Sequence, residues 1–175
     1  MNLFLIGCRC TGKTTIGKSV AETIDWSFVD ADNMLVEEYG KQIKDIVETE
    51  GWEAFRRRER SMLKRICTKK RQVVATGGGV VLDAGNVWAM HASGIIVGLG
   101  ATAETIRKRM LQDINTANFR PALTAKGLIE EIKDVLSKRK PHYEGVSDFF
   151  IHTDGIPVVA ITQTIIQKIA HRIGG

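Results

Sequence analysis

Short apolar runs alternate with longer stretches in which apolar residues return every three or four positions. Runs at 2–6, 27–29, 72–75, 94–98 and 148–152 have the length of strands buried in a sheet. Between and beyond them, helical spacing predicts helices at about 13–24, 33–47, 51–68, 84–91, 102–112, 127–143 and 158–173. Ile16, Val20 and Ile24 show the period in the first helix. This alternation predicts an α/β fold: a mostly parallel five-stranded sheet with helices on both faces, one domain across residues 1–175. Such sheets bind ligands at the carboxyl ends of their strands. That edge then gathers three segments: the one after the first strand, Asp30 and Asp32 after the second, and Gly77, Gly78 and Gly79 after the third. Residues 113–126 have no clear period, are polar and carry Pro121, so they read as a mobile lid or as a plain surface loop.

The segment after the first strand is Gly7-Cys8-Arg9-Cys10-Thr11-Gly12-Lys13-Thr14. It fits G-x-x-x-x-G-K-[ST] in the strand–loop–helix context that gives this motif its meaning. Backbone N–H groups of such a loop wrap a phosphate chain, and the following helix turns its positive dipole end toward it. Lys13 is placed to reach the β- and γ-phosphates, and the Thr14 hydroxyl to ligate Mg²⁺.

Composition narrows the surroundings more than the chemistry. With 43% hydrophobic and 26% charged residues the chain is of ordinary globular type. No stretch of about 20 apolar residues is present to span a membrane. The short apolar N-terminal run has no cationic start and leads straight into the loop, unlike a signal peptide, so a cytoplasmic location is expected. Cys8, Cys10 and Cys67 lack metal-ligand spacing, and Cys8 and Cys10 lie too close for a normal disulfide, which suits a reducing compartment. The net charge of +5 fits an anionic ligand without identifying one. The basic charge is concentrated in residues 56–71. Phe55, Met62 and Ile66 keep helical spacing there, and no aromatic residues interleave to stack bases, so the run reads as the solvated face of an amphipathic helix rather than a nucleic-acid site.

Asp30-Ala31-Asp32 puts two carboxylates on one side of an extended segment. One can help hold Mg²⁺ and the other can accept a hydrogen bond from a substrate hydroxyl; alternatively Asp32 caps the helix starting near Asn33. Gly77-Gly78-Gly79 either lets a backbone approach a ligand or makes a tight turn. Arg56, Arg120 and Arg139 suit bidentate capture of carboxylate or phosphate, although a surface salt bridge is the commoner fate of any one arginine.

In order along the chain, the phosphate loop, Phe28-Val29-Asp30-Ala31-Asp32, Gly51-Trp52-Glu53-Ala54-Phe55-Arg56-Arg57-Arg58-Glu59, Ala75-Thr76-Gly77-Gly78-Gly79-Val80, Arg120-Pro121 and Arg139-Lys140-Pro141-His142-Tyr143 together resemble shikimate kinase, from about Leu3 to Tyr143. The resemblance implies a single-domain P-loop kinase with a lid at about 113–126, moving the ATP γ-phosphoryl group to the 3-hydroxyl of shikimate in aromatic amino-acid biosynthesis. It implies that Cys10, Thr11, Gly12, Lys13, Thr14 and Thr15 surround the nucleotide phosphates, with Arg109 against the adenine. It gives Thr14 and Asp30 to Mg²⁺, and Arg56 and Arg139 to the shikimate carboxylate. Asp32 would hold ring hydroxyls and act as base or orienter. Gly78 and Gly79 would offer backbone contacts, and Arg120 would close over the phosphates. Lys13, Asp32 and Arg120 form the implied catalytic set, acting in a monomer without nucleic acid or membrane.

The sequence departs from the family pattern twice, with Cys10 at a loop position usually held by glycine and Arg-Pro-Ala-Leu where Arg-Pro-Leu-Leu is common. Cys10 also sets a thiol beside Lys13 and a helix N-terminus, where thiolates are stabilised. Two rival readings stand beside this one. One is a kinase for another small polyol acid such as gluconate, against which the triple glycine and the Arg56 string count. The other is a non-catalytic ligand-binding module on the same fold. Such a module is usually joined to a DNA-binding domain, for which a chain starting at the first strand has no room, and Lys13, Thr14, Asp30 and Asp32 are all in place.

Overall fold

A computed structural model describes residues 1–112 and 127–173. The expected lid at 113–126, with Arg120, lies outside the described residues. Five strands, β1 (Asn2–Ile6), β2 (Ser27–Asp30), β3 (Gln72–Ala75), β4 (Gly94–Gly100) and β5 (Phe149–His152), pair in the order β2-β3-β1-β4-β5, and every pairing is parallel. The described helices are α1 (Lys13–Thr23), α2 (Ala31–Tyr39), α3 (Ile43–Thr68), α4 (Ala84–Ser93), α5 (Ala103–Gln112), α6 (Leu128–Val146) and α7 (Val158–Ile173), with a short 3₁₀ turn at Val80–Leu82.

Strand alternation divides the core. Phe4 and Ile6 of β1 point to one face of the sheet, where they meet Leu35, Phe55, Met62, Met90, Ile106, Ile132 and Tyr143 from α2 to α6. Leu3 and Leu5 point to the other, against Ile16 and Val20 of α1 and Ile161, Ile165 and Ile169 of α7. All four β1 side chains are at most 1% exposed, and burying each contributes roughly 2–3 kcal/mol. A central strand buried on both faces carries no polar side chain between Leu3 and Ile6, so its apolar run is continuous rather than alternating.

Two boundaries differ from the sequence expectation. The helix expected over 33–47 is two helices. Gly40, at φ 61, ends α2 in the left-handed region and its N–H bonds the Val36 carbonyl. The apolar positions Leu35, Ile43 and Ile46 stay in helical phase across the break, which is why the period does not reveal it. The expected division near residue 51 survives as a kink inside α3, at Gly51 (φ 83). Most of the basic run lies on α3: Arg57, Arg60 and Arg65 face solvent in ion pairs with Glu53 (2.7 Å), Asp83 and Glu38, whereas the half-buried Arg58 covers the Tyr39 ring and pairs with Glu50 at 2.6 Å, and Arg56 turns inward. Among the described residues no helix is long and apolar enough to cross a membrane.

Candidate active site

The loop from Gly7 to Gly12 joins the carboxyl end of β1 to α1, as its spacing requires. Gly7 (φ 142) admits no side chain, because a Cβ there would stand 2.2 Å from the Leu99 carbonyl oxygen of the neighbouring strand. Gly12 (φ 98) turns the chain into α1. Cys10 also has a positive φ, 59°, in the left-handed region that glycine adopts without cost. The loop therefore keeps its shape with a side chain at that position, and the half-buried Cys10 passes its carbonyl to Arg109 at 3.1 Å. The Lys13 ammonium is folded into this loop and donates to the carbonyls of Gly7 (2.9 Å) and Cys8 (2.7 Å). Thr11 is fully buried, its hydroxyl on the Cys8 carbonyl, while Thr14 and Thr15 are exposed at the start of α1.

Asp30 ends β2 beside α1. Its Oδ2 accepts from the Thr14 hydroxyl at 2.9 Å, so the two groups expected to serve Mg²⁺ are in contact. Its Oδ1 accepts from the backbone N–H groups of Asp32 (3.1 Å) and Asn33 (3.2 Å). Here the sequence reading needs correction in two respects. The helix begins at Ala31, so Asp30 and Asp32 do not share one side of an extended segment, and the N-cap is Asp30, not Asp32. Asp32 sits in the first helical turn, with its carboxylate turned toward Gly77.

Beside the phosphate loop lies a cleft, open to solvent, whose lining includes Arg9, Asp32, Arg56, Glu59, Gly77, Gly78, Gly79 and Arg139. It unites every expected substrate residue. The three glycines follow β3, and Gly77 and Gly79 lack a side chain where a different group comes close. A Cβ on Gly77 would meet Glu59 Oε1 at 2.8 Å and Asp32 Oδ1 at 3.0 Å. One on Gly79 would meet the Arg56 guanidinium at 2.1 Å, and Gly78 faces Tyr143 and Arg139. The Gly78 carbonyl accepts from Tyr143 Oη at 2.5 Å and from Arg139 Nη1 at 3.2 Å.

Arg56 lies over the Phe55 and Trp52 rings, 5.0 and 5.5 Å from their centroids, and bonds Glu59 at 2.5 Å. Glu59 is 7% exposed, and its Oε1 has no hydrogen-bond partner. Burial pushes its carboxyl above the ordinary carboxylate range, partly offset by the positive charges of Arg56 and Arg139. Sequence reasoning assigned Glu59 no role, though one signal was available: a carboxylate on the apolar face that runs Phe55, Met62, Leu63, Ile66. Arg9, on the loop, pairs with the buried Glu131 of α6, 122 residues away, and had no local signal.

On the far side of the loop, Arg109 donates to the Thr153 hydroxyl and carbonyl, both at 3.0 Å, as well as to Cys10. It thereby ties α5 to the segment after β5, next to the phosphate loop. The arrangement suits phosphoryl transfer. The Lys13 ammonium, the N-terminus of α1 and the Thr14 and Asp30 oxygens are gathered at one loop, and the adjoining cleft is lined by Arg9, Arg56 and Arg139 and by the carboxylates of Asp32 and Glu59.

The shikimate kinase family matches residues 9–170 of this chain. Among curated relatives, shikimate kinase 2 of Sodalis glossinidius is 39% identical over 172 residues, covering 97% of this chain and 98% of that protein. Among solved structures, shikimate kinase from Acinetobacter baumannii in complex with shikimate superposes with a TM-score of 0.90 at 32% identity, covering 98% of this chain and 93% of that one. A gluconokinase from Sinorhizobium meliloti superposes with a TM-score of only 0.60 at 15% identity, which is a likeness of fold alone. With the family match spanning nearly the whole chain, and the loop, cleft and glycine run in one site, the protein belongs to the shikimate kinase family of ATP-dependent small-molecule kinases.

Proposed function

We propose that the protein transfers the γ-phosphoryl group of ATP to the 3-hydroxyl of shikimate, giving shikimate 3-phosphate and ADP on the route to chorismate and the aromatic amino acids. The observation that carries this reading is the cleft itself. Arg56 and Arg139 reach it from two different helices, with Asp32 also in its lining and the phosphate loop adjoining. A substrate with a carboxylate at one end and hydroxyls at the other is matched by that distribution of charge.

Lys13 leaves its loop carbonyls to meet the β- and γ-phosphates, and the loop N–H groups from Cys10 to Thr15 surround the chain. Thr14 and Asp30 would hold Mg²⁺. Two oxygen donors suit an ion that keeps several waters and takes its other ligands from phosphate, and no cluster of three His, Cys, Asp or Glu side chains occurs among the described residues. When bound, the ion neutralises charge on the transferring group. Asp32 orients the attacking hydroxyl or takes its proton. Arg56 and Arg139 hold the carboxylate, Gly78 and Gly79 let the substrate lie against the backbone, and Arg109 borders the adenine. Arg120 is assigned to the lid, where closure would exclude water and suppress ATP hydrolysis. The same reading makes the chain one kinase domain, a cytoplasmic monomer with no nucleic-acid or membrane partner.

A coupled assay of ADP release tests the activity. ADP formation in ATP–Mg²⁺ should be slow alone, fast with shikimate and unaffected by gluconate. Equal rates with and without shikimate, or a preference for gluconate, would overturn the assignment.

A further inference from the structure

Tyr143 lies one helical turn beyond Arg139 on α6, and the two side chains converge on a single backbone atom, the Gly78 carbonyl oxygen. Gly78 is buried and Tyr143 is 2% exposed, so the phenol's bond is shielded from water, while the half-buried Arg139 meets the same oxygen from the cleft. A carbonyl oxygen has two lone pairs, and here both are used. The bonds are unequal: the phenol stands at 2.5 Å and the guanidinium at 3.2 Å. Arg139 has further N–H groups, and among the described residues it has no carboxylate within ion-pair distance.

We propose that Tyr143 is a positioning residue for substrate recognition: by satisfying the Gly78 carbonyl it keeps the Arg139 guanidinium available to an anion in the cleft. This rests on the reading of Arg139 as a carboxylate-binding group. The reasoning is a competition for donors. A buried carbonyl left without a partner is costly, so some donor must serve it. While the phenol does so, Arg139 can rotate its remaining N–H groups toward a carboxylate and give up little at the backbone. Without the phenol, Arg139 is the remaining donor on this oxygen among the described residues, and turning toward substrate would strand the Gly78 oxygen. The guanidinium is then drawn back onto the backbone and substrate must compete for it. Arg139 Nη1 would stand 3.8 Å and the phenol oxygen 3.6 Å from a Cβ at Gly78, both ordinary contact distances, so the two donors lie side by side on the same flank of this residue.

Tyr143→Phe keeps the ring in its pocket and removes only the donor. Shikimate Kd, measured by calorimetry, should rise about tenfold, the size of one lost hydrogen bond to a charged group, while KM for ATP stays within about twofold and kcat within about threefold. Because Tyr143 acts through Arg139, adding Tyr143→Phe to Arg139→Ala should weaken shikimate no further. The proposal is overturned if folded Tyr143→Phe binds shikimate as the parent does. It is equally overturned if KM for ATP and shikimate rise together, or if the double variant shows the full additive loss. If Tyr143→Phe does not fold, 3-fluorotyrosine at position 143 supplies a stronger donor of nearly the same shape. It must then tighten shikimate binding, and an unchanged Kd overturns the proposal. A parent that fails to bind shikimate would instead refute the substrate assignment, so the two failures are told apart by the parent alone.

Discussion

Replacing Gly79 with alanine should destroy the substrate site without touching a charged residue. The backbone at Gly79, φ −107 and ψ 0, is open to alanine, so the change is not resisted by main-chain strain. Its Cβ, however, would stand 2.1 Å from Arg56 Nη2 and 2.6 Å from Cζ and Nη1, far inside van der Waals contact. The guanidinium is the end of a flexible side chain and has to move away. In doing so it gives up Glu59 at 2.5 Å and the faces of Phe55 and Trp52. A substrate carboxylate then meets Arg139 without Arg56. Removing one member of a desolvated charge pair costs about 2–4 kcal/mol, which is between about 30-fold and 1,000-fold in shikimate Kd. Calorimetry with shikimate, and separately with a non-hydrolysable ATP analogue, should show that loss on the shikimate side only. Circular dichroism confirms that the variant is folded. Gly79→Ala should match Arg56→Ala, and combining the two should cost no more than either one, because both remove the same interaction. A folded Gly79→Ala variant that binds shikimate within about threefold of the parent would refute the placement of Arg56.

Lys13→Ala should stay folded and lose at least about 100-fold in turnover, since Lys13 is the cation of the phosphate loop; turnover within a few-fold of the parent would contradict its role. Asp32→Asn should lower kcat by about 10²–10⁴-fold with little change in thermal stability, because Asp30, not Asp32, caps α2; a near-parental kcat would remove Asp32 from the chemistry. Glu59 gives a pH signature. Its folded carboxyl titrates above the ordinary value of 4.5, so between the two values the folded state holds more protons than the unfolded one and stability falls as pH rises. Urea unfolding of parent and Glu59→Gln across that window should show the slope in the parent alone, and parallel curves would contradict the burial argument.

The strands were legible because a parallel sheet covered on both faces writes unbroken apolar runs, and all five appear within two residues of expectation. The break at Gly40 was hidden because Leu35, Ile43 and Ile46 serve one core on either side of it. The Asp30-Ala31-Asp32 string was recognised, but its geometry was misread. A helix starting at Ala31 hands the capping role to Asp30, and a spacing of two residues means opposite things in a strand and in a first helical turn. The cleft was legible as a set of residues and illegible as contacts. That Gly77 admits Asp32 and Glu59, that Gly79 admits Arg56, and that Tyr143 and Arg139 reach the Gly78 carbonyl follows from packing of α2, α3 and α6 against the segment after β3. Local pattern carries no trace of packing between segments so distant. The pairing of Arg9 with Glu131 spans 122 residues and is of the same kind.

The central claim is that this cleft presents the 3-hydroxyl of shikimate to the terminal phosphate of ATP. Phosphorus–proton correlation NMR of the reaction product tests it most directly. The account predicts a single new phosphomonoester whose phosphorus couples to the ring proton at carbon 3, with one ADP formed for each. ADP release with no such ester, or a phosphorus coupled to the proton of a different ring carbon, would contradict it.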